Sequence, residues 1–126
     1  MKVNKVTPIL VVDAIEPALG FWVGMLGFEK TVEVPHAGRL GFVLLVKDGH
    51  EVMLQTRSSV ADDLPAVAAL KPACAVYCDV DSLDEAVSAT AGAEVLVPRR
   101  TTFYGADEVW VRDPTGAIVG FAQPRG

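Results

Sequence analysis

Few side chains in this sequence are of types that do chemistry: His36 and His50, Glu51, the pair Asp62-Asp63, Cys74 and Cys78, Tyr77, and Arg99-Arg100. None forms a recognisable catalytic set. No Ser or Cys is flanked by a histidine base, and there is neither a glycine-rich phosphate loop nor a nucleophile elbow. Cys74 and Cys78 lie in an extended segment, where about 3.3 Å per residue carries their Cα atoms past the roughly 7 Å reach of a disulfide. Equal parity puts both on one face, as small buried hydrophobes, and Cys-x3-Cys without a second pair is a poor metal motif. Asp62 and Asp63 read as helix-start charges on a solvated face, His50 and His36 as solvated turn and loop residues, and Arg99-Arg100 as a solvated loop. Catalytic residues are therefore predicted to be none. Glu51, Gln55 and Tyr77 remain, and their use depends on the elements that place them.

The organising element is Val6 to Glu29. Val6 to Val12 is a β-branched run apolar except at Thr7, which predicts a buried strand bounded by Asp13. Ile15, Ala18, Leu19, Trp22, Val23 and Leu26 then form one apolar helical stripe that ends at Gly27. Asp13 and Glu16 are spaced as a capping box, although Pro17 blurs the helix start. Gly20 and Gly24 predict close approach of this helix to the sheet or to a partner subunit. A second copy of the unit runs from Cys74 to Val97, with the shorter stripe Leu83, Ala86, Val87, Thr90 and Ala91. Two similar halves must bury their apolar faces against something shared.

An edge strand is expected over Lys30 to His36. Asp48-Gly49 then predicts a type I′ hairpin with Lys47 opposite His50. Parity puts Val43, Leu45, Val52 and Leu54 on one aliphatic face, under the helix. Phe42, Leu44, Val46, Glu51, Met53 and Gln55 take the other, a face suited to lining a partly wet cleft. Arg57 to Pro72 reads as a linker with a short helix. Cys74, Val76, Cys78 and Val80 face the second helix, which turns Tyr77 toward the cleft. Phe103 and Tyr104 are the large groups of a loop centred on Gly105. Asp113-Pro-Thr-Gly predicts a last hairpin with Asp113 opposite Gly116, placing Trp110 with Val119 and Phe121 under the second helix and Val109 on the cleft side.

Length sets one domain, divided into a first module of about residues 1–57, a linker helix of about 58–72 and a second module of about 73–126. A charge of −5 and a pI near 4.9 oppose nucleic acid and anionic membranes as partners. The N-terminus lacks a signal-peptide core and no apolar run reaches the roughly 20 residues of a membrane span, so a cytoplasmic location is expected.

Taken in series, ILVVDAIEPALGFWVGMLGFE, the Asp-Gly hairpin ending EVMLQTR, CDVDSLDEAV with GAEVLVP, and VWVRDPTGAIVGFAQ resemble the vicinal oxygen chelate superfamily, which contains glyoxalases, bleomycin-resistance proteins and extradiol dioxygenases. The resemblance covers nearly the whole chain. It implies an α+β fold of two βαβββ modules, their curled mixed sheet surrounding a shared cleft, usually in a homodimer. In metal-dependent members, His or Glu side chains from the first and fourth strands of each module bind a divalent ion. Those positions fall here on Val6, Met53, Ala75 and Gly120, none a ligand for such an ion, so no metal and no cofactor are expected.

Three functions stand as alternatives. The first is a metal-free protein of the bleomycin-resistance type that binds a small organic molecule, such as an antibiotic, through Phe42, Leu44, Met53, Gln55, Tyr77, Phe103, Tyr104 and Val109. Tyr77 and Gln55 would orient the ligand by hydrogen bonds. The second is a divergent lyase, isomerase or dioxygenase-like enzyme using Glu51, alone or with Tyr77. The third is a dimeric accessory protein with a filled cleft. The room left at Gly120 favours a ligand over filling.

Overall fold

The computed structural model describes residues 1–126. By packing, the chain divides into Pro8–Cys74 and a second unit made of Met1–Thr7 with Ala75–Gly126. Strand β1 (Val3–Val12) contributes to both.

In Pro8–Cys74, α1 (Glu16–Leu19) is followed by β2 (Glu29–His36), β3 (Arg39–Lys47), β4 (His50–Thr56), α2 (Arg57–Asp63) and α3 (Pro65–Ala68), with strand order β2-β3-β4-β1. The β3–β4 register sets Lys47 opposite His50 as expected, and Asp48 and Gly49 both take positive φ, as a type I′ turn requires. Val43, Leu45, Val52 and Leu54 are buried with Ile15, and Ala18, Leu19 and Trp22 pack on them. β1 joins β4 in parallel, with Ile9 opposite Met53 and Val11 opposite Gln55.

The first helix departs from its predicted stripe. After Leu19 it widens into a π-helix, Gly20–Met25, in which Leu26 N–H donates to Phe21 O. Each added residue per turn rotates the later side chains off the core face, so Val23 and Leu26 are exposed while Trp22 stays packed. Gly20 and Gly24 weaken the α-form, and a Cβ on either would meet no atom within 4 Å, so neither glycine serves close packing on this chain's own sheet. The capping box is absent too. Glu16 Oε2 accepts from Leu40 N–H at 2.8 Å, which holds its carboxyl below the usual range, and Asp13 pairs with Arg57.

In the second unit, β5 (Cys74–Val80), α4 (Leu83–Ala89), β6 (Glu94–Thr101), β7 (Ala106–Arg112) and β8 (Ile118–Pro124) come one after another, with strand order β5-β8-β7-β6. Residues 1–7 join this unit through Asp81 N–H to Lys2 O and Asn4 Nδ2 to Asp79 Oδ1. Ser82 caps α4 by accepting from Glu85 N–H. The core under α4 holds Leu83, Ala86, Cys78, Val80, Val109, Val111 and Phe121. Cys78 is buried there, whereas Cys74, at the strand's start, is exposed.

The last hairpin pairs one residue out from the predicted register, with Arg112 opposite Ile118 and Trp110 opposite Gly120. The cause is the turn. Asp113 Oδ1 accepts from Thr115 N–H, Thr115 Oγ1 and Ala117 N–H, so the loop takes up Gly116 and Asp113 N–H donates to Ala117 O. A one-residue slip exchanges faces. Val109 therefore lies under α4, and Trp110 on the opposite face, the reverse of the expectation for both.

Candidate functional site

Three adjacent strands of the second unit bring Tyr77, Gly120 and Trp110 into one row across β5, β8 and β7. Because Gly120 has no side chain, the Tyr77 and Trp110 rings meet above it with centroids 5.6 Å apart. A Cβ there would stand 2.9 Å from three indole atoms. The room that Gly120 leaves is thus occupied by Trp110, and it offers no argument for a ligand.

Beside this row, on the same face as Trp110, lies Glu108, fully buried. Its Oε2 accepts from Tyr77 OH and Tyr104 OH, each at 2.6 Å. Its Oε1 accepts from Arg100 Nε at 2.9 Å, Arg100 Nη2 at 2.6 Å and Trp110 Nε1 at 2.8 Å. A carboxylate offers about four lone-pair directions, so these donors saturate it. Arg100 supplies the countercharge, which makes burial of the anion tolerable. Burial and then the Glu108 charge push the Tyr77 phenol well above its ordinary pKa, and the same causes raise Tyr104. Both tyrosines are held as neutral donors. The cluster is a closed polar hub that fixes three rings, with no lone pair left for a general base.

The hub is hidden in the sequence because Arg100 reads there as part of a solvated loop and Tyr104 as a ligand contact presented by the loop around Gly105. In fact β6 runs on to Thr101, with Arg100 opposite Glu108. One signal was present: Glu108 and Trp110 are two apart in a strand and share a face.

The expected contact residues separate by unit. Phe42, Leu44, Met53 and Gln55 lie together and half-buried on one face of Pro8–Cys74, Phe42 opposite Gln55 and Leu44 opposite Met53. Gln55 Nε2 is already bonded to Ser59 Oγ of α2 at 3.1 Å. Tyr77 and Tyr104 come together on Glu108, so the Tyr77 hydroxyl proton is committed there. Phe103 is 82% exposed and meets Tyr104 edge to face at 5.0 Å. Val109 is buried under α4 and leaves the set.

His36, expected in solvent, has Nε2 2.6 Å from Asp62 Oδ2 and Nδ1 3.4 Å from Ser58 Oγ. Ser58 and Asp62 are both exposed, and no apolar wall excludes water from them, so this set lacks the enclosure that nucleophilic catalysis needs.

The sequence matches the family described as "Glyoxalase/Bleomycin resistance protein/Dioxygenase superfamily" over residues 2–121, and the chain belongs to it. Its fold is the α+β fold of that family. A glyoxalase/bleomycin resistance protein/dioxygenase superfamily member from Vibrio splendidus 12B01 is 24% identical, with TM-score 0.71, covering 97% of this chain and 99% of that one. The methylmalonyl-CoA epimerase of Mycobacterium tuberculosis is 18% identical, with TM-score 0.69, covering 98% and 90%. That of Streptomyces coelicolor is 15% identical, with TM-score 0.67, covering 99% and 100%. At these identities the likeness concerns the fold. None of the curated proteins matches the chain.

The four positions that the superfamily resemblance assigns to a metal do not fit one. Val6 and Ala75 carry no donor atom, and Met53 offers only a soft thioether. Gly120 lies beneath the indole. No three His, Cys, Asp or Glu side chains converge elsewhere to hold an ion. No helix is long and apolar enough to cross a membrane.

Proposed function

We propose that this chain is a metal-free, cytoplasmic homodimer that binds a small, largely apolar organic molecule, in the manner of the bleomycin-resistance members of its superfamily. The observation that carries the reading is the half-buried apolar face of Phe42, Leu44 and Met53. These residues lie opposite a complete core and gain little from facing water. Phe103 presents a second apolar surface on its Gly105 turn. Tyr77, Tyr104 and Gln55 act by holding these surfaces in place, since their donors are used within the chain. Acid–base catalysis by Tyr77 is disfavoured for the same reason.

The test is native mass spectrometry of protein purified without chelator, followed by a thermal-shift titration with bleomycin. A dimer free of divalent ion, with a retained organic mass or a bleomycin-induced shift, is expected. Phe103→Ala should weaken that binding while leaving the unliganded Tm unchanged, because so exposed a ring contributes little to folding. A stoichiometric divalent ion would sink the proposal and favour the enzymatic reading.

A second reading, a dimeric accessory protein with a filled site, is favoured by Trp110 over Gly120 and by the saturated hub. It predicts neither retained mass nor shift.

A further inference from the structure

A separate cavity of about 380 Å³ opens within Pro8–Cys74, lined by Val11, Arg57, Val60, Ala68, Lys71 and Pro72. None of these belongs to the expected contact set. Its walls are fixed from three sides. Val11 N–H donates to Ala73 O at 2.9 Å, tying the chain after α3 to strand β1. Val60, Leu64 and Val67 are buried and seat α2 and α3. Arg57 braces the rim, its Nε 2.9 Å from Asp13 Oδ1 and its Nη1 3.1 Å from Pro72 O.

The two cations at the rim differ. Arg57 is paired with Asp13, whereas Lys71 takes part in no ion pair. Lys71 has φ of +51° in the turn that follows α3, where its N–H donates to Ala68 O at 2.9 Å. Lys71, exposed and outside any ion pair, thus stands with Arg57 at the edge of a cavity whose apolar walls are Val11, Val60, Ala68 and Pro72. An inorganic anion would use the charge and leave the apolar walls wet. A neutral apolar molecule would use the walls and leave the charge. Both are satisfied by one molecule with an apolar body and a single anionic head.

We infer that this cavity is a binding site for a small amphiphilic monocarboxylate, its apolar body against Val11, Val60, Ala68 and Pro72 and its carboxylate on Lys71. The volume lies near the lower end of small-molecule sites, which restricts the ligand to a short aliphatic chain or a single ring. Val11 lies opposite Gln55, so the cavity borders the strand face of Phe42, Leu44 and Met53 while sharing none of those three residues.

The test is calorimetric titration of the full chain with sodium octanoate, with 1-octanol and sodium sulfate as the headless and bodiless controls. Octanoate should bind once per chain, with octanol at least tenfold weaker for want of the charge-assisted contact and sulfate at least tenfold weaker for want of the buried apolar chain. Lys71→Gln should lower octanoate affinity about tenfold. Lys71→Gly, which removes the charge but suits the positive φ, should do the same and guards against a folding defect in the first variant. Ala68→Leu should weaken binding by narrowing the cavity, and Phe103→Ala should leave it unchanged. No octanoate binding, equal binding of octanol, sulfate binding as tightly as octanoate, or affinity indifferent to Lys71 and Ala68 would each overturn the assignment.

Discussion

The two repeats use the same strand positions for opposite ends. In Pro8–Cys74, the row across β3, β4 and β1 is Leu44, Met53 and Ile9, with Phe42, Gln55 and Val11 as the next row on that face. In the second unit, the matching row across β7, β8 and β5 is Trp110, Gly120 and Tyr77, with Glu108, Ala122 and Asp79 as the next. Met53 and Gly120, two of the positions that the superfamily resemblance assigns to a metal, thus take equivalent places in the two units. The first unit puts a flexible thioether there between aliphatic neighbours. The second removes the side chain and roofs the gap with an indole, anchored by the carboxylate that stands where the first unit has Phe42. One topology therefore supports a half-open apolar face in one repeat and a closed polar network in the other. What decides between them is whether a buried charge at the Phe42/Glu108 position finds enough donors.

That comparison breaks most sharply at Glu108. Glu108→Ala would leave Arg100, two hydroxyls and an indole N–H without their acceptor, and should cost roughly 3–5 kcal/mol in urea unfolding. Phe42→Ala should cost less, since its half-buried ring leaves no polar group unpaired. Gly120→Ala comes next. Its Cβ would collide with the Trp110 ring, at about 1–3 kcal/mol, and pairing it with Trp110→Ala should recover part of the loss in a double-mutant cycle. The last effect is nil at neutral pH. The chain's two tyrosines, Tyr77 and Tyr104, both donate to Glu108. Because folding raises both phenol pKa values, the native state holds its protons where the unfolded chain, near pH 10, releases them. The contribution of these two tyrosines to stability should be constant below about pH 10 and be lost as pH rises above it. Ultraviolet titration should show phenolate near pH 10 in urea and none there in the native protein.

Most of the architecture was legible in the chain. Asp48-Gly49 set the β3–β4 register, the strand–helix pattern recurs as β1 with α1 and β5 with α4, and Val43, Leu45, Val52 and Leu54 went under the first helix as parity required. Beside the widening of the first helix after Leu19, three errors came from a polar atom choosing an unforeseen partner. Glu16 turned to Leu40 instead of capping its helix. Asp113 gathered three donors and lengthened its turn by one residue, which exchanged Val109 for Trp110 at the core. Arg100 left its supposed loop for Glu108.

Sequence alone determined the superfamily, the repeat and the want of metal-binding side chains at Val6, Met53, Ala75 and Gly120, because periodicity, turn chemistry and residue type are properties of the chain. Tertiary structure alone decided that Gly120 is roofed by Trp110, that Glu108 is the centre of the second unit, and that Lys71 guards a cavity. These outcomes depend on hydrogen bonds and close approaches between residues far apart in the chain, such as Tyr77 with Glu108 and Val11 with Ala73, and on a register that one aspartate reset. No local pattern encodes them, since a donor's partner is fixed only once the strands carrying both have paired.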